Sequence, residues 1–167
     1  MEKIFIKNRN NKKLCVLLEK SNNQQGLVFI EHGLGGFKEQ KHIQIMADSF
    51  RETDYTVVRF DTTSTLGDSE GSYGDATLTN YYQDLEDVIK WAEDQEWYQE
   101  PFVLAGHSLG SFSIILYTQK HPNKVKALAP ISTVISGKTS NQRYDKEKVK
   151  EWEETGWRIE PSASKPG

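Results

Sequence analysis

The residues with the clearest chemical potential form one pentapeptide at positions 106–110, Gly-His-Ser-Leu-Gly. An apolar run over residues 101–105 leads into it and predicts a short buried strand. Small and apolar residues over 111–117 lead out of it and predict a buried helix. A serine between glycines in a tight strand-to-helix turn is the arrangement of a nucleophile elbow, which holds the hydroxyl clear of the backbone. The chemistry that this predicts is attack by Ser108 on a carbonyl carbon.

Such an attack places negative charge on the carbonyl oxygen, so the site also needs hydrogen-bond donors. The amide of Leu109 lies in the first turn of the predicted helix, where backbone amides have no partner within the helix. A second loop that brings glycines together, His-Gly-Leu-Gly-Gly at 32–36, follows an apolar run over residues 26–30. That run predicts a strand buried on both faces.

The elements that must position these loops alternate along the chain. Strands are predicted at 4–6, 14–18, 26–30, 55–60, 101–105 and 125–131, and helices at 39–51, 78–92 and 111–117. This order predicts an α/β fold with a mostly parallel sheet of about six strands and helices on both faces, in which the first two strands form a hairpin. In such a sheet ligands bind at the carboxyl ends of the strands. The loops that begin at Glu31, Asp61, Gly106 and Ser132 leave from that edge.

The remaining chain divides by composition. Residues 1–132 are expected to form the core of the fold, and residues 133–160 the start of a cap or insert. Within that insert, the charged segment from Asp145 to Thr155 predicts a helix that ends at Gly156. Residues 161–167 have the composition of a loop and are expected to be a flexible tail.

Composition excludes several classes of protein. A chain of 167 residues with 27% charged and 36% hydrophobic residues predicts one globular domain, and a net charge of -3 gives no reason to expect nucleic acid as a partner. No apolar stretch is long enough for a signal peptide or a membrane span, and the single Cys15 fits a reducing compartment, so a cytoplasmic location is expected. The loop at 32–36 lacks the dinucleotide and Walker fingerprints, and His32 and His42 lack partners at metal-ligand spacing. No cofactor and no metal are therefore expected.

The order of these motifs resembles the α/β-hydrolase superfamily, and within it the serine carboxylesterases, acylglycerol lipases and acyl-aminopeptidase-like members. The resemblance rests on the loop at 32–36, the segment Arg59-Phe60-Asp61, the segment Gly67-Asp68-Ser69-Glu70-Gly71 and the pentapeptide at 106–110. It implies that Ser108 is the nucleophile and that the backbone amides of Leu34 and Leu109 form the oxyanion hole. It also implies that Gly33, Gly106 and Gly110 shape the loop and the elbow, and that His32 is structural.

In that family the acid and the histidine of the catalytic triad follow the serine, after two further strands. Neither is expected in this chain, so the resemblance covers an N-terminal portion and predicts an incomplete fold that lacks the C-terminal strands. Among the other histidines, His121 lies too far along the helix from Ser108, and His107 should face away from it. His42, near the start of the first helix, is the remaining candidate base. Without a base, a serine hydroxyl is a poor nucleophile.

Three functions remain open on the sequence. The first is a serine hydrolase that cleaves carboxylic ester or amide bonds of small molecules through an acyl-enzyme at Ser108, and that is inactive or very slow as this chain alone. The second is a non-catalytic binding module. Its exposed strand at Val125–Ile131 would pair with a second copy of the chain, because an uncovered strand edge is a template for pairing. The third is an acyltransferase of the same fold.

Overall fold

The computed structural model describes residues 1–136 and 145–157. Its strands are β1 (Glu2–Lys7), β2 (Lys13–Glu19), β3 (Gly26–Glu31), β4 (Tyr55–Phe60), β5 (Phe102–His107) and β6 (Val125–Ile131). Its α-helices are α1 (Lys41–Arg51), α2 (Leu78–Glu93), α3 (Leu109–Lys120) and α4 (Lys146–Thr155). Short 3₁₀ turns lie at Tyr73–Asp75 and Pro122–Lys124.

The strands form one sheet in the order β1-β2-β4-β3-β5-β6. The first hairpin pairs antiparallel, β2 pairs antiparallel with β4, and the remaining neighbours are parallel. The prediction of a mostly parallel sheet of about six strands, with a hairpin at one edge, is confirmed. All four parallel strands end at the same edge, so the loops after β3, β4, β5 and β6 meet there.

Helices cover both faces of the sheet. The side chains of β3 alternate between the two faces and therefore pack against different helices. Leu27 and Phe29 pack with α2 and α3 on one face, whereas Val28 and Ile30 pack with α1 on the other. The apolar stripe of α2 is buried, with its members Tyr81, Leu85, Val88, Ile89 and Ala92. Burial of each of the larger aliphatic members, Leu85, Val88 and Ile89, contributes about 1.5–3 kcal/mol to folding. The helix begins where Thr77 accepts a hydrogen bond from the amide of Asn80 at 3.1 Å.

The starts of two helices differ from the runs that predict them. Helix α1 begins at Lys41, because residues 33–40 form turns closed by hydrogen bonds from the Gly36 amide to the Gly33 carbonyl and from the Gln40 amide to the Phe37 carbonyl. Helix α3 begins directly after Ser108. This brings the amides that follow the serine into its first turn.

The helix predicted at 145–155 is confirmed as α4. Asp145 caps it by accepting a hydrogen bond from the Glu147 amide at 2.8 Å, and Gly156 ends it with φ of 76°. The assignment of 133–160 to a cap stays a prediction, because residues 137–144 and 158–160 lie outside the described residues. The tail predicted at 161–167 also lies outside them.

Candidate active site

The turn between β5 and α3 has the backbone geometry of a nucleophile elbow. Ser108 has φ of 53° and ψ of -111°, a conformation that is strained for any residue other than glycine. Its amide donates a hydrogen bond to the Ile131 carbonyl at 2.8 Å, which joins the turn to the end of β6. Ser111 Oγ also lies 2.6 Å from the Gly106 carbonyl oxygen and accepts from the Ile131 amide at 2.9 Å. The neighbouring elements therefore hold the strained conformation in place.

The glycines of the elbow are required by close backbone packing. A Cβ atom at Gly106 would lie 2.8 Å from the carbonyl group of Gly110. A Cβ atom at Gly110 would lie 2.5 Å from the carbonyl oxygen of His32 and 2.6 Å from that of Glu31. The first turn of α3 thus contacts the end of β3 backbone to backbone, which a side chain would prevent.

The loop after β3 lies directly against the serine. A Cβ atom at Gly33 would lie 2.9 Å from Ser108 Cβ. Within residues 1–136 and 145–157, the amides of Leu34 and Leu109 donate to no protein acceptor. Two unengaged donors, one in the residue after Ser108 and one in the loop packed against it, are the kind of groups that binding an oxyanion requires. These are the two donors that the resemblance implies, and their role stays a prediction.

His32 connects this loop to the loop after β4. Its ring is fully buried, the amide of Thr62 donates to Nε2 at 3.2 Å, and Nδ1 lies 2.8 Å from the Gly33 carbonyl oxygen. This pattern assigns the proton to Nδ1, because Nε2 must accept. Burial also lowers the pKa of His32, which favours the neutral ring. Both nitrogens are engaged, so His32 holds the loop and is not free to act as a base.

The other histidines lie on two sides of the elbow. The rings of His107 and His42 contact each other with centroids 4.4 Å apart, on the face covered by α1, and burial lowers the pKa of His107. His121 stacks on Tyr117, with centroids 4.5 Å apart, at the far end of α3. In the described part of the chain, no histidine is hydrogen-bonded to Ser108. Within the described ranges, the structure therefore brings no triad partner into hydrogen-bond contact with Ser108.

Sequence reasoning missed a buried ion pair beside this loop. Lys38 Nζ is fully buried and lies 2.7 Å from carboxylate oxygens of both Asp61 and Asp68. Asp61 also accepts from the amides of Lys38 at 2.7 Å and Asp68 at 2.8 Å. Asp61 therefore connects its own loop to the segment after Gly36. No pattern in the sequence distinguishes Lys38 from an exposed lysine.

The same place contains a group with the spacing of metal ligands. Among the described residues, ligand atoms of Cys15, Asp61 and Asp68 lie within 4.8 Å of one another. The Lys38 ammonium already contacts both carboxylates there and supplies the compensating positive charge. A metal ion would have to displace it.

An exposed apolar wall lies along the candidate site. Leu34 is 53% exposed, Tyr73 is 47% exposed and Trp157 is 72% exposed. A Cβ atom at Gly35 would lie 3.1 Å from the Tyr73 hydroxyl, and one at Gly74 would lie 3.5 Å from the Trp157 ring. Tyr73 and Trp157 therefore extend the surface of the loop that contacts Ser108. Sequence reasoning did not single out either residue, because both lie in segments without periodicity.

The comparisons with known proteins agree with this geometry. A family model described as serine aminopeptidase, S33, matches residues 22–159. The chain belongs to this family. The identification as an α/β hydrolase is thereby confirmed, and residues 22–159 of this S33-family chain include both glycine-rich loops and Ser108. No curated protein sequence matches significantly.

Solved structures show the same fold. Est1E from Butyrivibrio proteoclasticus, in a structure with bound ferulic acid, is 25% identical with a TM-score of 0.76, and the match covers 85% of this chain and 57% of Est1E. Alpha/beta hydrolase domain-containing protein 10 from mouse is 22% identical with a TM-score of 0.74, covering 96% of this chain and 62% of that one. The Pyrococcus furiosus esterase Pf2001 is 21% identical with a TM-score of 0.76, and the match covers 90% of this chain and 59% of the esterase. The S33-family chain thus spans about three fifths of the length of these proteins.

None of the helices in the described part of the chain is long and apolar enough to cross a bilayer.

Proposed function

We propose that this S33-family chain is a serine hydrolase that acts on carboxylic esters through an acyl-enzyme at Ser108. The observation that carries the proposal is the strained Ser108 packed against the loop after β3, with amides at Leu34 and Leu109 that donate to no acceptor among the described residues. Ser108 Oγ attacks the carbonyl carbon and loses its proton to a base, while the two amides bind the oxyanion. The alcohol leaves with that proton. Water then cleaves the acyl-serine ester and releases the acid.

The base is proposed to come from outside the described residues, because none of their histidines is hydrogen-bonded to Ser108. Removing the histidine of a catalytic triad costs on the order of 10⁶ in turnover. An oxyanion hole and substrate binding alone retain a small part of the rate. The chain by itself is therefore expected to turn over esters very slowly.

The apolar wall supports an uncharged, apolar or aromatic acyl group as the part of the substrate that lies next to Ser108. Leu34, Tyr73 and Trp157 offer flat, exposed apolar surface beside the candidate oxyanion loop. Est1E, a relative in fold at 25% identity, binds an aromatic acid, ferulic acid. Amides remain the alternative substrate because the family description names an aminopeptidase.

A fluorophosphonate probe tests the nucleophile. Ser108 Oγ is expected to attack the phosphorus, displace fluoride and give one stable adduct, slowly in buffer and faster as imidazole is added. Dissolved imidazole then accepts the proton that a triad histidine would take. Intact mass and peptide mapping report the extent and the position of labelling.

Ser108→Ala is expected to abolish the adduct, whereas Ser49→Ala, at an exposed serine of α1, should label like the wild type. Wild-type protein that stays unlabelled at Ser108 at every imidazole concentration would refute the proposed nucleophile. Equal labelling of Ser108→Ala would place the reactive group elsewhere.

An interaction role is the second candidate, and one observation favours it. Strand β6 is the last strand of the sheet, with no strand beyond it in the described part of the chain, and its Leu128 and Ile131 are exposed. Pairing of this edge with a second copy predicts twice the chain mass in light scattering, and a monomer for Leu128→Lys. A monomeric wild type at high concentration would exclude this pairing. The acyltransferase alternative shares the acyl-enzyme, and no observation favours it.

A further inference from the structure

One buried acid near the elbow has no role in the chemistry above. Glu31, the last residue of β3, is fully buried, and both of its carboxyl oxygens lack a hydrogen-bond partner among the described residues. Buried carboxyl groups are normally paired or hydrogen-bonded. The hydroxyl of Ser113, on α3, is also buried and without a hydrogen bond in the described structure. Across the interface between β3 and α3, the Ser113 hydroxyl acts to lower the pKa of the Glu31 carboxyl.

The backbone places this carboxyl beneath the turn that carries Ser108. Glu31 pairs with Gly106 of β5 across the sheet, and its carbonyl oxygen is one of the backbone atoms that a Cβ at Gly110 would strike. Its side chain points to the same face as Phe29, where α2 and α3 pack. A change in Glu31 therefore acts on the contact between β3 and the first two turns of α3.

Among the described residues, none of the groups that act on the Glu31 carboxyl carries a positive charge. From α2, the carboxyl of Asp84 and the hydroxyl of Tyr81 act on it, and from α3 the uncharged Ser113 does. Its sheet neighbours, Phe60 and Gly106, carry no charge. Burial raises the pKa of Glu31 well above its ordinary value, Asp84 adds to this, and the opposing effect of Ser113 is smaller than that of burial. The neutral acid is the form that this surrounding favours.

We propose that Glu31 is held as a neutral carboxylic acid whose proton is donated to Ser113, and that it positions the elbow helix against β3. Loss of that proton leaves an anion beside Asp84 at the contact between Glu31 and Gly110. The elbow then loosens, and with it the position of Ser108. Glu31 is thus a positioning residue that makes the elbow sensitive to alkaline pH. This inference does not depend on Ser108 being a nucleophile.

The direction of the pH effect follows from proton linkage. The folded chain binds the Glu31 proton more tightly than the unfolded chain does, because its pKa is raised on folding. The stabilisation is therefore complete below the unfolded pKa, about 4.3, and is lost as pH rises toward the folded value. Across that window the unfolding equilibrium constant is expected to rise by up to about tenfold for each pH unit, from this one group.

Carbon-13 NMR of chain labelled at the glutamate carboxyl carbons tests the charge state directly. The Glu31 signal, assigned by its loss in Glu31→Gln, is expected to remain that of a protonated acid at neutral pH. The amide signals of Ser108 and Gly110 should shift with the same midpoint as Glu31. A Glu31 signal that titrates with the surface glutamates would overturn the proposal. If the amide signals of Ser108 and Gly110 do not shift with the midpoint of the Glu31 titration, the positioning role is wrong.

Urea unfolding as a function of pH gives the second measurement. Glu31→Gln keeps the shape of the neutral acid and is expected to remove the Glu31 part of the alkaline loss of stability. Glu153→Gln, at an exposed glutamate of α4, should leave the pH profile of the wild type unchanged. Identical profiles for wild type and Glu31→Gln would contradict the proposal. If Glu31→Gln does not fold, the loss of the Glu31 carboxyl signal in Glu31→Asp provides its assignment. The titration of that signal in the wild type then decides whether Glu31 is neutral.

Discussion

Replacing Gly110 with alanine is expected to lower the free energy of unfolding by about 3 kcal/mol, at the upper end of the range for overpacking. The new Cβ would lie 2.5 Å and 2.6 Å from the carbonyl oxygens of His32 and Glu31. Both are backbone atoms at the end of a central strand, so neither can rotate away. The first turn of α3 would have to move off β3, and Ser108 with it. Urea denaturation followed by circular dichroism measures the loss.

Gly74→Ala is the matched control, because it makes the same chemical change where there is room. A Cβ at Gly74 would meet the Trp157 ring at 3.5 Å, an ordinary contact with an exposed side chain. Its effect should stay within about 0.5 kcal/mol. Similar losses for Gly74→Ala and Gly110→Ala would mean that the elbow is not packed against β3 as described.

Replacing Asp61 with asparagine is expected to cost about 3–5 kcal/mol, the usual result of removing one partner of a buried ion pair. Asp61 and Lys38 are both fully buried, with 2.7 Å between Oδ2 and Nζ. The carboxylate also accepts from two amides, so the new side-chain NH₂ group would face either an ammonium or an N–H donor. The loop after β3 would lose its anchor to the loop after β4. Thermal and urea unfolding measure the change.

Asp68→Asn provides the comparison, because Asp68 contacts the same ammonium but is 43% exposed. Water compensates the lost charge there, so a loss of about 1 kcal/mol or less is expected. Hydrogen bonds from Lys38 and Lys3 lower the pKa of Asp68 to about 2. Its contribution is therefore present above the unfolded pKa and is lost as pH falls toward about 2. If Asp61→Asn and Asp68→Asn lower the free energy of unfolding equally, the burial of Asp61 does not determine the strength of its ion pair.

Much of the architecture was predictable from local sequence. Short continuous apolar runs predict the strands, and the apolar stripe of α2 predicts a helix. Burial requires a characteristic spacing of apolar residues in each kind of element. The glycines around Ser108 predict a tight turn, because close packing of the backbone there leaves no room for a Cβ on either side of it. The same reasoning predicts α4 between Asp145 and Gly156. These features depend on residues that are close together in the chain.

The pairing of distant residues was decided by the tertiary structure. Lys38 is a buried ion because β4 places Asp61 beside it, and Glu31 is a buried acid because α2 and α3 cover the face to which it points. The state of His32 depends likewise on an amide of the loop after β4. A sequence specifies each residue's own preferences, but burial and charge compensation depend on what the folded sheet brings against it. Local sequence therefore determined the elbow, and only the folded sheet determined which titratable groups are buried beside it.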